Sequence, residues 1–188
     1  MTDPSLHSGD PFIYMKVGIH AKESLADIIR RKQAEIANAG VSFWGYGGST
    51  CHPLTAVQPF VREVSSHGTS VRLLMQEINS NHFAEQLRAD SYSTDGIEWV
   101  KVPKPISVLG SRYALVIDSL EEVDLKVSLA DTKVGVGRFS GALGSDYVKG
   151  RVDKACLVFS PNDANSGRDS ISLKLAARLV EPFAVLLK

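Results

Sequence analysis

Cysteine is scarce in this chain, and charge of either sign is not in excess. Cys51 and Cys156 are too few for a disulfide framework and do not have the spacing of zinc ligands. The 21 basic residues balance the 21 acidic ones, so no strongly basic surface points to general nucleic-acid binding. The composition therefore argues against a disulfide-stapled domain, a structural zinc domain and a nonspecific nucleic-acid binder.

Long apolar runs are absent as well. None approaches the ~20 residues of a membrane-spanning helix, and the polar opening MTDPSLHSGDP lacks the layout of a signal peptide. We therefore expect a cytoplasmic protein that does not associate with membranes. The five histidines form no H-x-x-x-H or H-E-x-x-H pair, which predicts no metal site, and no pattern indicates a bound cofactor.

The first half of the chain has a recognisable order of elements. Residues 1–10 are polar and predict a flexible N-terminal segment, whereas 11–188 predict a single domain. Phe12–Ile19 is rich in β-branched and aromatic residues, Ala21–Ala39 has helical spacing, and Val41–Tyr46 again favours a strand. This N-terminal β-α-β unit leads us to expect its two strands side by side.

The rest of the chain is β-rich. A short helix is expected after Pro53, cut by Pro59, and the polar stretch Asn79–Gly96 predicts a functional loop or a covering flap. The other candidates are strands, at Val71–Met75, Ile97–Val102, Arg112–Asp118, Val123–Leu129, Cys156–Phe159, Ile171–Leu179 and Pro182–Leu187. This order predicts an α+β fold, in which the β-α-β unit is followed by a β-rich, mostly antiparallel half.

The densest group of unusual residues is the run FWGYGGSTCHP at 43–53. Glycines at a strand exit expose backbone N–H groups, and a following helix N-terminus favours an anion. Trp44 and Tyr46 stand two residues apart, so on a strand they share a face that suits a planar base. We accordingly predict a ligand site formed by His20, Trp44, Tyr46, Gly47, Gly48, Ser49, Thr50, His52 and Arg138. A tight strand exit with two core aromatics explains the same run equally well.

Three residues are candidates for catalysis. Cys51 and His52 suggest a thiol nucleophile with an imidazole base, but sequence neighbours point apart, and a buried thiol beside a capping histidine is the simpler interpretation. Better partners for the thiol are the histidines further away in the sequence, His20, His67 and His82. Glu23 is the third candidate, although it also suits a capping box at the first turn of the helix.

Two further segments have simple interpretations. The triplet Arg30-Arg31-Lys32 lies three or four residues from Asp27 and Glu35, which predicts a solvated helix face with ion pairs. The run VGVGRFSG at 134–141 is not followed by a helical pattern, so a β-turn with a bulge is favoured over a phosphate loop. Arg138 in that turn is within reach of an anionic ligand.

Three functions remain open. The first is a small-molecule binding protein for a phosphorylated or nucleotide-like ligand, acting as a sensor or a sequestering sponge. The second is a hydrolase or transferase that acts on such a ligand through Cys51 or His52. The third is a protein–protein interaction module, including a homo-oligomer, because many short strands leave edges to be covered. Binding is preferred over catalysis because the sequence offers a cradle and a stacking platform but no assembled acid–base pair.

Overall fold

A computed structural model describes residues 5–18, 23–48, 51–79, 88–109, 111–149, 152–162 and 169–188. The helices are α1 (Leu25–Ala39), α2 (Leu54–Ser66) and the one-turn α3 (Gly144–Tyr147). The strands are β1 (Pro11–Val17), β2 (Ser42–Gly45), β3 (Arg72–Glu77), β4 (Ser91–Ser93), β5 (Val100–Lys101), β6 (Tyr113–Ser128), β7 (Thr132–Val134), β8 (Lys154–Phe159) and β9 (Ser170–Leu187). No helix among these residues is long and apolar enough to cross a membrane.

The described strands form one nine-stranded sheet with the order β2-β6-β9-β3-β1-β8-β7. β4 adds to the C-terminal end of β9, and β5 pairs with β4. Among these strands β1 and β3 form the one parallel pair, so the sheet is mostly antiparallel, as the α+β prediction requires.

The expectation that β1 and β2 lie side by side is wrong. β3, β9 and β6 separate them in the sheet. β1 is flanked by β3 and β8, whereas the four-residue β2 pairs with β6 at the edge. β1 is largely buried, and a buried strand needs hydrogen-bond partners on both sides.

α1 begins and ends at specific capping residues. The Ser24 side chain accepts a hydrogen bond from the Asp27 N–H, and Gly40 ends the helix with a φ of 78°. Glu23 therefore does not form the predicted capping box, and its carboxylate instead binds the Arg31 guanidinium.

α2 continues past its internal proline. The helix begins at Leu54, with Pro53 as the N-cap residue, and runs for 13 residues through Pro59. The prediction of a short or broken helix is thus wrong. The apolar face formed by Val57 and Val61 packs into the main core, and tertiary burial outweighs the local cost of proline.

β6 and β9 are each one long strand, where the sequence predicts two. They pair along most of their length, with register shifts between Leu115 and Ile117, Ile117 and Ser119, and Glu122 and Leu125. The polar residues that resemble turns are therefore accommodated by irregularities within a continuous ladder.

Apolar clusters lie on both faces of the sheet. The main cluster joins α1 and α2 to residues such as Ile13, Met75 and Ile117. A second cluster, around Tyr14 and Leu157, includes Leu6 from the segment that the sequence predicts to be flexible. That segment also contacts the sheet through a hydrogen bond from the Gly9 N–H to the Phe159 carbonyl.

Candidate functional site

The two aromatic rings at the strand exit are part of the core. Trp44 is 4% exposed and Tyr46 is fully buried, and both belong to the cluster under α1 and α2. The Trp44 indole N–H lies 3.3 Å from the Met15 sulfur, and the Tyr46 hydroxyl donates to the Tyr14 carbonyl. Neither ring therefore offers a free face to a planar ligand, and the stacking platform expected from the sequence is not formed.

The described glycines of the strand exit are already engaged. The Gly47 N–H donates to the Tyr113 carbonyl, and the Gly48 N–H lies 3.0 Å from the Cys51 sulfur. A Cβ added at Gly47 would lie 2.4 Å from a Tyr113 ring carbon, so Gly47 is required for close packing. Ser49 and Thr50 lie outside the described residues. The bare amides proposed as an anion cradle are consequently occupied at both positions that can be assessed.

Cys51 and His52 do not form a catalytic dyad. The partly buried thiol contacts Gly48 and lies 4.0 Å from the Tyr113 hydroxyl. His52 is 6% exposed, and its Nε2 atom has no hydrogen-bond partner among the described residues. Burial lowers the pKa of His52, which favours the neutral imidazole.

Aromatic stacking holds the His52 ring in place. Its ring lies parallel to that of Tyr147, with centroids 5.3 Å apart and an interplanar angle of 2°. The turn that carries Arg138 also approaches this ring, because a Cβ added at Gly137 would lie 3.8 Å from Nδ1. The fold therefore brings the two glycine-rich segments together at His52. Arg138 itself is exposed and lies over the neighbouring Phe139 ring.

Among the described candidates, His67 and Glu23 have no observed contact with this group. His67 sits at the end of α2, where its ring bonds the Glu63 carbonyl. His20 and His82 lie outside the described residues. Two hydrogen bonds from the Arg31 guanidinium lower the pKa of Glu23. This carboxylate is therefore poorly suited to accept a proton near neutral pH.

A buried charge network on α1 departs from the predicted solvated face. Lys32 is 4% exposed and its ammonium group donates to Glu35, to the Phe43 carbonyl and to the Ser107 carbonyl. Burial lowers the pKa of Lys32 to about 8, although the Glu35 carboxylate opposes this change. Lys32 lies four residues from both Ile28 and Ile36, so its position on the apolar stripe was a readable signal.

The β4–β5 hairpin presents a surface that the site prediction does not include. Ile97 is 82% exposed, Val100 50% and Trp99 38%. The Asp95 carboxylate accepts hydrogen bonds from the Ile97 and Glu98 N–H groups, which orders the turn between the strands. We call Ile97, Trp99 and Val100 the hairpin patch.

Within the described residues, no group of three or more His, Cys, Asp and Glu side chains is arranged to hold a metal ion. The helices and the mostly antiparallel sheet define a mixed α+β protein. Its surface feature is the exposed apolar hairpin. Comparison with family models, with curated proteins and with solved structures finds no match.

Proposed function

We propose that this protein is an interaction module that pairs with a second copy of itself through the β4–β5 hairpin. The observation that carries this proposal is the exposure of three large apolar side chains within four consecutive residues, at 97–100. Three large apolar side chains exposed within one short segment favour a protein contact site, since exposure of such side chains to water is unfavourable.

The hairpin is anchored, so its apolar side chains are presented without a large ordering cost. Tyr92 in β4 packs edge-on against Phe43, with ring centroids 5.0 Å apart. The Asp95 turn holds the tip, as described above. A preordered surface loses less conformational entropy on binding, which favours association.

The outer edge of β5 offers backbone groups to a partner strand. The Val102 N–H donates to the Asp90 carbonyl, and antiparallel ladders alternate in direction. Lys101 therefore turns its N–H and C=O away from β4, and no other described strand pairs with β5. Antiparallel addition of the same edge from another copy gives a closed two-fold contact.

Charge favours a second copy as the partner. The hairpin region contains two acidic residues, Asp95 and Glu98, and two basic residues, Lys101 and Lys104. An antiparallel two-fold arrangement centred on Lys101 brings Glu98 of one copy towards Lys104 of the other, and it also sets the two Lys101 side chains near each other. The chain as a whole has zero formal net charge, so long-range repulsion between copies is small.

The other functions inferred from the sequence stay predictions. An anionic planar ligand at the strand exit gains no support from buried rings and occupied amides. A thiol nucleophile needs a base to accept its proton, and within the described residues the His52 Nε2 atom forms no hydrogen bond to Cys51. The hairpin patch is the feature with the clearest physical reason to bind another molecule.

The test is the oligomeric state of the full chain and of matched variants by sedimentation velocity, from about 1 to 100 µM. We expect a concentration-dependent dimer for the wild type. Ile97→Ser removes the most exposed apolar group from both sides of the contact, so the dimer Kd rises by about thirtyfold or more. Phe139→Ser is the control. Phe139 is also an exposed apolar residue, at 44%, but it belongs to the turn that follows β7 and not to the β4–β5 hairpin.

Two results would contradict the proposal. A wild-type protein that stays monomeric over the whole range rules out self-pairing by the hairpin. Equal weakening by Ile97→Ser and Phe139→Ser shows that loss of surface apolarity in general, and not the hairpin patch, controls association. Far-UV circular dichroism of both variants serves to check that each keeps the wild-type secondary structure.

A further inference from the structure

A groove of about 400 Å³ lies between the first turns of α1 and the sheet. Its apolar wall consists of Leu25, Ala26, Ile29, Val123 and Leu175, and its polar groups are Glu77, Glu122 and Lys174. The volume falls within the range of small-molecule sites, and the lining combines an apolar wall with a few charged groups, as such sites do.

The two carboxylates belong to the sheet face that α1 covers. Glu122 pairs in register with Leu175, and Glu77 pairs with Val17. Leu175 and Val17 are both members of the main core cluster. Residues directly opposite each other in a sheet have their side chains on the same face. Glu77 and Glu122 therefore flank the apolar wall from different strands.

The described residues that line the groove carry an excess of negative charge. The Lys174 ammonium group lies 2.6 Å from an Asp124 carboxylate oxygen, so Asp124 neutralises it. The side chains of Glu77 and Glu122 are exposed, and within the described part of the chain they form no hydrogen bond or ion pair. Two carboxylates that have no cationic partner among the described residues, beside an apolar wall, complement a ligand that joins one cation to a hydrocarbon stem.

The N-terminus of α1, which would favour an anion, does not reverse this preference. Ser24 caps the helix, and Asp27 contributes a carboxylate to its first turn. Asp27 also binds the Ser24 hydroxyl, so the positive end of the helix already has an anionic partner.

From this arrangement we infer that the groove is a binding site for a linear aliphatic amine in its ammonium form. The hydrocarbon stem lies along Leu25, Ile29 and Leu175, and the ammonium group donates hydrogen bonds to Glu77 and Glu122. This site is separate from the hairpin patch, so neither proposal depends on the other.

Titration of the ¹⁵N-labelled full chain with n-hexylammonium chloride at constant ionic strength tests the inference. We expect saturable amide shifts at Val123 and Leu175, with a Kd of about 1 mM for so small a ligand. The double variant Glu77→Gln, Glu122→Gln loses both charges, so its Kd rises by about tenfold or more.

Glu121→Gln is the matched control. Glu121 pairs with Ala176, which packs against the cluster on the opposite face of the sheet, so its loss leaves the Kd within about twofold. Sodium hexanoate, with the same stem and an anionic head, should cause no saturable shift. The inference fails if hexanoate binds as well as hexylammonium, if no shift saturates, or if the double variant binds like the wild type.

Discussion

His52 is a buried residue whose protonation has a cost in the folded protein. Burial lowers its pKa from the usual 6.5, so below that pH the unfolded chain binds the proton more readily. The stability that depends on neutral His52 is present above about pH 6.5 and is lost as the pH falls. The variant His52→Phe retains a ring beside Tyr147 but has no imidazole to protonate. We expect its unfolding free energy to fall less than that of the wild type when the pH is lowered from about 7.5 to about 5.5.

Urea unfolding at the two pH values measures this difference, with His67→Phe as the control. His67 is exposed at the end of α2, so its replacement should leave the pH dependence of the unfolding free energy as in the wild type. The explanation is incorrect if His52→Phe and the wild type lose the same stability on acidification.

The strand exit after β2 is an element whose two glycines have different roles. At Gly47 a Cβ would lie 2.4 Å from the Tyr113 ring, whereas at Gly48 no atom lies within 4 Å of an added Cβ. We expect Gly47→Ala to lower the unfolding free energy by about 2 kcal/mol, because Tyr113 is buried and cannot yield freely. Gly48→Ala should change it by less than about 0.5 kcal/mol.

Chemical denaturation of the two variants under identical conditions gives both values. Similar losses at the two positions would show that the close approach to Tyr113 does not determine the need for glycine. The comparison also tests the predicted anion cradle. If alanine is tolerated at Gly48 but not at Gly47, then Gly47 is needed for packing against Tyr113.

At the scale of the whole molecule, β6 joins the three apolar clusters. Ile117 belongs to the cluster under the two helices, Val127 to the one on the opposite face, and Val116 to the one around Phe43. Loss of β6 therefore disrupts every cluster, which predicts cooperative unfolding of the chain. The single domain predicted for residues 11–188 stays a prediction, which the same measurement tests.

Trp99→Phe makes this prediction measurable, because it leaves Trp44 as the one tryptophan of the chain. Trp44 fluorescence then reports on the main cluster, while far-UV circular dichroism reports on the secondary structure as a whole. We expect the same urea midpoint from both signals. Separate midpoints would mean that parts of the sheet unfold independently.

Sequence reasoning was most successful where the pattern is local. The apolar spacing and Gly40 predicted α1 and its end, and short β-branched runs predicted most of the sheet residues. It divided β6 and β9 because residues such as Ser119 resemble a turn when considered alone. It also placed Lys32 in solvent, although Lys32 lies on the apolar stripe of α1.

The candidate site shows the limit of the same reasoning. Alternation along the predicted strand Val41–Tyr46 places Trp44 and Tyr46 on one face but does not say whether that face meets water or helices. α1 and α2 cover it, so the rings form core and not a platform. Conversely, nothing in the pattern of the predicted strand at 97–102 indicated that the Ile97 side chain is exposed to solvent.

The amino-acid sequence by itself determined the α+β character, the presence of α1 with its end at Gly40, and the residues able to form strands, because these depend on interactions within a few positions. Tertiary structure alone decided the strand order, the burial of Trp44 and the exposure of the hairpin patch. Those properties depend on which distant segments pack together, and many pairings of short strands have similar local energies.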